Sequence, residues 1–382
     1  MLSINSNINS LVAQQNLNTS QSALSQAITR LSSGKRINSA ADDAAGLAIS
    51  NRMQTQINGL DQGVSNANDG VSMIQTASSG LAQITTSLQT IRQLAVQASS
   101  GSLSSSDQAA LQQEVAQQVA EVNRVASQTT YNGKNVLDGS AGNVSFQIGA
   151  NVGQTISLNL TQSLSAASLG GGVPQVGSTL TSITGVSLNA SGAATSSSPA
   201  ITTVNVLADG NGGFTFTDQN NQALSSTAVT ALFGASTTGS ATTPVALTLT
   251  AVSTGALGST ASAATVASIA TANALNTPPT VSAVNVSTTQ GANAAMESID
   301  NALQTVNNIQ ATLGAAQNRF TSISSAQQSQ STDLSGAQSQ ITDADFAQET
   351  ANLSKAQVLQ QAGISVLAQA NSLPQQVLKL LQ

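Results

Sequence analysis

Few side chains in this sequence could do chemistry, and they are of limited kinds. Its 382 residues include 10 Lys and Arg and 16 Asp and Glu, but neither His nor Cys. The usual general base, thiol nucleophile and zinc ligands are therefore missing. The charges that remain are suited to ion pairs and helix caps. We predict that the protein is not an enzyme and has no catalytic residues, metal site or cofactor.

The most concentrated charges are Lys35, Arg36, Asp42 and Asp43, which follow a glycine that should break a helix. The two acids precede an Ala-rich run, an arrangement that suits the N-terminus of a helix. A charged cluster of this kind is usually a solvated turn.

The composition argues against two classes of partner. A net charge of −6 and the lack of a basic cluster argue against nucleic-acid binding. No apolar run reaches the roughly 18 residues of a membrane helix, so no membrane insertion is expected. The first residues, MLSINSNINS, lack the basic and apolar regions of a Sec-type signal peptide.

Charge and proline divide the chain into three parts. Residues 161–290 contain no Lys, Arg or Glu and only two acids, and they hold five of the six prolines. Those acids, Asp209 and Asp218, lack the ligand spacing of a calcium loop. The flanking parts, 1–160 and 291–382, carry the other charges and a helical periodicity. We therefore predict a helical framework interrupted by one large insertion.

Two long stretches keep apolar residues in a heptad frame, which predicts helices in left-handed coiled-coil packing. The first predicts a helix over 46–99, and the second predicts a helix of similar length that packs antiparallel to it. A shorter helix over 106–128, capped by Ser106, is expected beside them. The stripes include Met53, Ile57, Leu60, Val64, Ala67, Val71, Ile74, Leu81, Leu88, Ile91, Ala95 and Ala98, and then Ile299, Leu303, Val306, Leu313, Ala316, Phe320, Ile323, Leu334 and Ile341.

Each end of the chain carries a thinner apolar stripe and little charge. A lone helix of this kind is marginal in water, so each end is the candidate partner of the other. Pro374 should either end or kink the last helix. The stripes include Ile4, Ile8, Leu11, Leu24, Ile28 and Leu31 at one end, and Leu359, Val366, Leu373, Val377 and Leu380 at the other.

Short strands are expected beside these helices. Residues 146–150 and 155–160 alternate apolar and polar side chains, and Asn132-Gly133 has the signature of a tight hairpin turn. The insertion shows the same alternation at 203–206, 214–217 and 246–250. The fold class we predict is mainly α with a β-rich insertion, in which long antiparallel coiled-coil helices come from both chain ends.

Five stretches are long and specific enough to compare with a known family. They are INSNINSLVAQQNLN (4–18), LSSGKRINSAADDAAGLAISNRM (31–53), IRQLAVQ (91–97), YNGKNVLDG (131–139) and DADFAQETANLSKAQVLQQAGISVLAQANSLPQQVLKLL (343–381). These runs resemble bacterial flagellin, whereas the middle segment gives no support either way. The resemblance implies a structural subunit that self-assembles into the helical, extracellular flagellar filament for motility.

The layout implied by this resemblance has an inner helical core, connectors, a long-helix domain and an outer domain. These parts are 1–33 and 347–382 for the inner core, 34–46 and 342–346 for the connectors, 47–169 and 286–341 for the long helices with a β-hairpin, and 170–285 for a variable, surface-exposed, β-rich domain. The terminal stripes then form an inner-core interface. The connector charges gain a second interpretation, which is that they fix neighbouring subunits.

The resemblance also implies partners other than the protein itself. It implies export through the flagellar type III apparatus, with a secretion chaperone on the C-terminal helix, and contacts with the filament cap and hook-junction proteins. The Ser/Thr-rich middle segment indicates either O-glycosylation or plain solubility.

A candidate receptor patch is carried over residue by residue. Arg92, Leu94 and Glu114 match positions by which some flagellins engage an animal innate immune receptor, whereas Thr90 and Gln93 depart from the Arg and Glu of responsive members. The alternative is that Leu94 packs between helices and that Arg92 pairs with Glu114 across two helices.

Two rival functions are considered. A hook–filament junction protein shares similar end helices, but the near-complete match at 31–53 and 343–381 favours flagellin. A secreted coiled-coil adhesin would need a Sec signal or a membrane anchor.

Overall fold

The computed structural model describes residues 7–174, 176–190, 193, 195, 199–233 and 262–380. Within these ranges it leaves out the side chains of residues 227, 230, 231, 262–266 and 373–380. The strand predicted at 246–250 lies outside the described residues. The chain forms two compact units: Met1–Ala67, Gln147–Thr155 and Ser322–Gln382 make up the first, and Asn68–Phe146 and Ile156–Thr321 make up the second.

Seven α-helices lie within the described ranges. They are α1 (Ile8–Ser33), α2 (Ala44–Ala98), α3 (Ser105–Gln128), α4 (Ser226–Phe233), α5 (Ser262–Asn276), α6 (Thr289–Thr342) and α7 (Phe346–Leu380). The long helices predicted from the heptad frames are confirmed as α2 and α6. Because α7 continues to Leu380, Pro374 does not end the last helix.

The N-cap of α3 is Ser104 and not Ser106, which corrects the prediction. The Ser104 side chain accepts a hydrogen bond from the backbone N–H of Asp107, and the Asp107 carboxylate accepts one from the backbone N–H of Ser104. Two otherwise unpaired donors are satisfied by this reciprocal arrangement. Asp107 therefore decides which serine begins the helix.

In the first unit, two helix pairs run antiparallel. Asn7 of α1 donates to the carbonyl of Ala370 of α7 at 2.8 Å. Farther along α1, the Leu17 side chain faces Gly363 of α7. In the other pair, Gln338 of α6 bonds to Ser50 of α2, and Ser331 bonds to Asp61. In each pair, the residue numbers of the contacting partners fall along one helix as they rise along the other, which is an antiparallel arrangement.

The second unit has the most deeply buried part of the heptad stripe. Ile74, Leu81, Ile84, Leu88 and Ile91 of α2 are fully buried there. The antiparallel direction is again fixed by contacts with α6, since Gly70 lies against Phe320 and Arg92 pairs with Asp300. The predicted antiparallel packing of the two long helices is therefore confirmed within each unit.

Two hairpins follow α3, formed by β1 (Thr130–Tyr131) with β2 (Lys134–Asn135) and by β3 (Gly142–Gln147) with β4 (Thr155–Leu160). Asn132 and Gly133 have φ values of 49° and 76°, as the Asn-Gly signature predicts. The strand expected at 146–150 ends instead at Gln147. The N–H groups of residues 148 and 149 both turn to the carbonyl of Gln154, which ends the pairing.

The insertion contains a three-stranded antiparallel sheet in the order β5 (Thr179–Leu188), β6 (Ile201–Ala208) and β7 (Phe214–Asp218). Strands β6 and β7 confirm the predictions at 203–206 and 214–217. Strand β5 and helices α4 and α5, which share the core of the sheet, were not predicted. Register shifts interrupt the alternation along β5, and the Ala, Ser and Thr of α5 give no clear apolar face.

The two connectors pair with each other inside the first unit. Arg36 donates its backbone N–H to the carbonyl of Thr342 at 2.6 Å, and Ala344 donates to that of Gly34 at 2.9 Å. Lys35 and Asp343 form an isolated antiparallel β-bridge. The chain therefore passes from terminal helix to long helix at both ends through one small, backbone-paired junction.

The Asp42 carboxylate closes the turn that follows this junction. It accepts hydrogen bonds from the backbone N–H groups of Asn38 and Ser39, the Ser39 hydroxyl and the Gln26 amide, at 3.0–3.2 Å. The hydrogen bond from the Ser39 side chain is the main cause that lowers the pKa of Asp42, and the other three bonds add to it. The turn is thus stabilised by the charged form of this side chain.

We expect Gly70→Ala to destabilise the second unit by about 1–2 kcal/mol, because overpacking outweighs the gain in helix propensity. Three ring atoms of Phe320 lie less than 3 Å from where the new Cβ would stand. Gly314→Ala on α6 is the matched control, since its Cβ would meet no atom within 4 Å. It should stabilise the protein by about 0.5–1 kcal/mol. Chemical denaturation of both variants measures the difference, and equal shifts would contradict this packing.

We expect Asp42→Ala to speed amide exchange at Asn38 and Ser39. Asp43→Ala is the control, because among the described residues the Asp43 carboxylate accepts only from the N–H of Gly46, and its loss should affect that amide instead. The folded pKa of Asp42 is depressed, so its stabilisation is present above the ordinary Asp pKa of about 3.9 and is lost as pH falls through the lower, folded pKa. Exchange in the wild-type turn should show this acid dependence after correction for intrinsic rates, and the Asp42→Ala chain should not.

Candidate assembly site on the terminal helices

The boundaries of α1 and α7 follow from local capping. The Asn7 side chain accepts from the N–H of Ser10 at the start of α1, and Gly34 ends that helix with a φ of 68°. The Asp345 carboxylate accepts from the N–H of Ala347 at the start of α7, at 2.9 Å. These caps fix where the terminal helices begin and how the connectors leave them.

The seam between α1 and α7 is built mainly from small side chains. Its buried apolar members are Ala13, Leu24, Ala27, Ala356 and Ala370, and Glu349 of α7 is buried beside them. Polar pairs at its edges, such as Ser10 with Asn371, add hydrogen bonds across the pair. Alanines allow two helix backbones to approach closely but bury little apolar surface. The larger apolar side chains of both helices therefore lie mostly outside the seam.

Five predicted interface residues lie largely outside this seam. Their exposed fractions run from 48% to 70%, and they are Ile8, Leu11, Ile28, Leu359 and Val366. Four more exposed apolar residues on the same helices were not predicted: Val12, Phe346, Val358 and Ile364. Such a concentration of exposed apolar residues is typical of an interaction surface.

The other predicted interface residues are distributed differently. Leu24 is buried in the seam, and Leu31 is half-buried. Ile4 lies outside the described residues. The side chains of Leu373, Val377 and Leu380 also lie outside the description, although α7 includes their backbone.

Of the four connector charges, three are engaged within the chain. Arg36 donates its guanidinium to the carbonyl of Ile341 at 2.6 Å, Asp42 closes the turn described above, and Asp43 caps α2. Lys35 is exposed and forms no ion pair with the described residues. The structure therefore gives these four charges separate roles.

The candidate receptor patch lies on the second unit. Arg92 makes a two-pronged ion pair with Asp300 of α6, at 2.6 and 3.1 Å, and not with Glu114 as the packing alternative predicted. The hydrogen bond to Asp300 raises the pKa of Arg92. Leu94 is buried, as that alternative expects, and Glu114 is exposed. Periodicity assigns a residue to a helix face but not to a partner on another helix, which is why Asp300 was missed.

A search of the described residues for a helix long and apolar enough to cross a membrane gives none.

Three family models match this sequence. The bacterial flagellin N-terminal helical region matches residues 4–142, the flagellin D2 domain matches 172–275, and the bacterial flagellin C-terminal helical region matches 296–381. Together they cover the terminal helices, most of both long helices and most of the insertion.

Relatives and a solved structure agree with these matches. The chain is 36% identical to B-type flagellin of Pseudomonas aeruginosa over 488 residues, covering all of both chains. It is 36% identical to flagellin B of Vibrio anguillarum over 393 residues, covering 100% of this chain and 99% of the relative. The structure of FliC from Burkholderia pseudomallei matches 66% of this chain and 100% of its own, with 64% identity and a TM-score of 0.61.

These relatives favour the filament subunit over the junction protein, and they extend the resemblance through the insertion that the sequence left open. The chain belongs to the bacterial flagellin family and is a structural subunit of the extracellular flagellar filament.

Proposed function

We propose that the exposed apolar residues of α1 and α7 form the inner-core interface through which copies of this chain pack in the filament. The observation that supports this proposal is that the small and the large apolar residues of the two helices lie in different places. Alanines fill the seam within one chain, whereas Ile8, Leu11, Ile28, Leu359 and Val366 remain about half exposed or more. A monomer that used all its apolar surface internally would keep these side chains in the seam.

The apolar surface is large enough to contribute to assembly. Full burial of a Val, Leu or Ile side chain stabilises by about 1.5–3 kcal/mol, so burying the exposed half gives roughly 1 kcal/mol for each residue. Five such residues contribute on the order of 5 kcal/mol for each subunit before the cost of association. Addition to a growing filament is then sensitive to the loss of any one of them.

We propose the division of the chain into core, connector and long-helix parts from the positions at which its helices begin and end. Since α1 ends at Ser33 and α2 begins at Ala44, the proposed connector 34–46 takes in the first turn of α2. The other proposed connector, 342–346, takes in the last residue of α6 and the first residue of α7. In this proposal Arg36, Asp42 and Asp43 hold the junction in shape, and Lys35 is the connector charge available to a neighbouring subunit.

Other partners are proposed on the same surfaces. A secretion chaperone would cover the exposed side of α7, where Val358, Leu359, Ile364 and Val366 need shielding before assembly. Cap and hook-junction proteins would meet the same helices at the filament ends. A catalytic role is not proposed, since the family is structural and the chain lacks His and Cys.

The immune-receptor patch is proposed only as a weak site. Arg92 is held by Asp300, so a receptor carboxylate must compete with an ion pair already made. Thr90, where responsive members have Arg, uses its hydroxyl to bond the carbonyl of Thr86. The patch therefore presents one cation that is already paired.

We expect Leu11→Asp to raise the critical concentration for polymerisation at least about tenfold, since a loss of 1.4 kcal/mol is sufficient. The monomer should be unaffected, because Leu11 is 70% exposed in it. Leu11→Met is the matched control, since it keeps the volume and apolar character and should polymerise nearly as well. Seeded polymerisation and thermal unfolding of both variants test this, and normal filaments from Leu11→Asp would refute the interface.

We expect Thr90→Arg to raise signalling in an epithelial reporter assay with purified monomer at least about tenfold, because it adds an unpaired cation beside Arg92. Asn58→Arg on the exposed face of α2 is the control for added charge. Strong signalling by the unaltered chain would show that the lack of an Arg at position 90 does not limit receptor activation.

A further inference from the structure

Phe346 differs from the other phenylalanines of this chain. The sequence holds six, and all six are described. Phe214, Phe216, Phe233 and Phe320 are buried, and Phe146 packs edge-on against Phe320 at a centroid distance of 5.3 Å. Phe346 is 69% exposed. A large apolar ring left in water on an otherwise polar junction is a candidate anchor for another molecule.

The ring is presented from a fixed backbone. Phe346 is the first residue of α7 and follows Asp345, whose carboxylate caps the helix through the N–H groups of Ala347 and Gln348. Just before it, Ala344 donates to the carbonyl of Gly34 at 2.9 Å. A side chain whose backbone is already held by such hydrogen bonds loses less freedom on binding.

A groove suited to such a ring lies between α1 and α7 of the same unit. It has a volume of about 320 Å³, and its floor includes the buried small side chains of Ala27 and Ala356. Its lining also includes two cations, Arg30 and Lys355, and one buried carboxylate, that of Glu349. Arg30 Nε is shielded from solvent and has no hydrogen-bond partner among the described residues. Neither cation forms an ion pair with Glu349 or with any other described residue. A small apolar floor beside these cations fits an aromatic ring, because cations are attracted to the ring face.

We propose that Phe346 of one subunit docks into the α1–α7 groove of a neighbouring subunit. This inference rests on the proposed inner-core interface and adds a specific contact to it. The knob and the groove are different surfaces of one chain, so the contact is heterologous and generates an open helical polymer when it repeats.

The first test compares two substitutions of the ring. Phe346→Ala should raise the critical concentration for seeded polymerisation at least about tenfold. Phe346→Tyr keeps the aromatic face and should stay within about twofold of wild type. Thermal unfolding of both monomers should match wild type, because the ring is exposed. Normal polymerisation of Phe346→Ala, or an equal loss in both variants, would overturn the proposal.

The second test locates the ring, using the absence of native cysteine. A Phe346→Cys chain and an Asn352→Cys chain, the latter at the groove lining, are copolymerised with excess wild type and treated with a short bismaleimide. We expect mixed cross-linked dimers in filaments but not in the monomer mixture. Gln14→Cys, an exposed α1 position outside the groove lining, replaces Asn352→Cys as the control.

The outcomes of the second test are distinct. Filaments that form normally but give no Phe346–Asn352 cross-link, or as much with Gln14→Cys, would refute the docking site and leave the interface proposal intact. Failure of wild type to polymerise on seeds in the same buffer would refute the inner-core interface and the docking site together.

Discussion

The antiparallel pairing of the two ends of the chain is the interaction on which the other features depend. Gln21 and Gln360, which contact each other across α1 and α7, are 339 residues apart in sequence. Closing so long a loop costs conformational entropy, but the cost grows only with the logarithm of loop length, by about 0.6 kcal/mol for each doubling. Two helices that are far apart in sequence can therefore pair, and the length of the segment between them has little effect on the pairing.

Small residues stand wherever the helix backbones of this protein approach another element closely. Glycines of α2 lie against Phe320 and the β3–β4 turn, and alanines fill the α1–α7 seam. Close packing of this kind leaves no room inside for the larger apolar residues of the terminal helices. They remain at the surface, so a subunit that is well packed within itself still has a reason to associate. The filament function follows from this residual apolar surface and not from any reactive group.

The root of the insertion, where the chain enters and leaves it, is held by α3. The Gln112 amide accepts from the N–H of Val286 at 2.6 Å and donates to the carbonyl of Val284 at 3.3 Å. Asn123 accepts from the N–H of Ala166 on the outgoing segment at 2.9 Å. Two side-chain amides thus bind the backbone on both sides of the insertion. The sheet beyond this root keeps its own core, built around Phe214, Phe216 and Phe233.

The sequence by itself determined the periodic features of this protein. Heptad spacing located α2 and α6, charge and proline located the insertion, and Asn132-Gly133 located a turn, because each is set by residues near one another in the chain. Only the tertiary structure decided which residues meet. It paired Arg92 with Asp300 and not Glu114, divided the connector charges between turns and caps, and showed Phe346 exposed. These outcomes depend on register between distant helices, which no local pattern specifies.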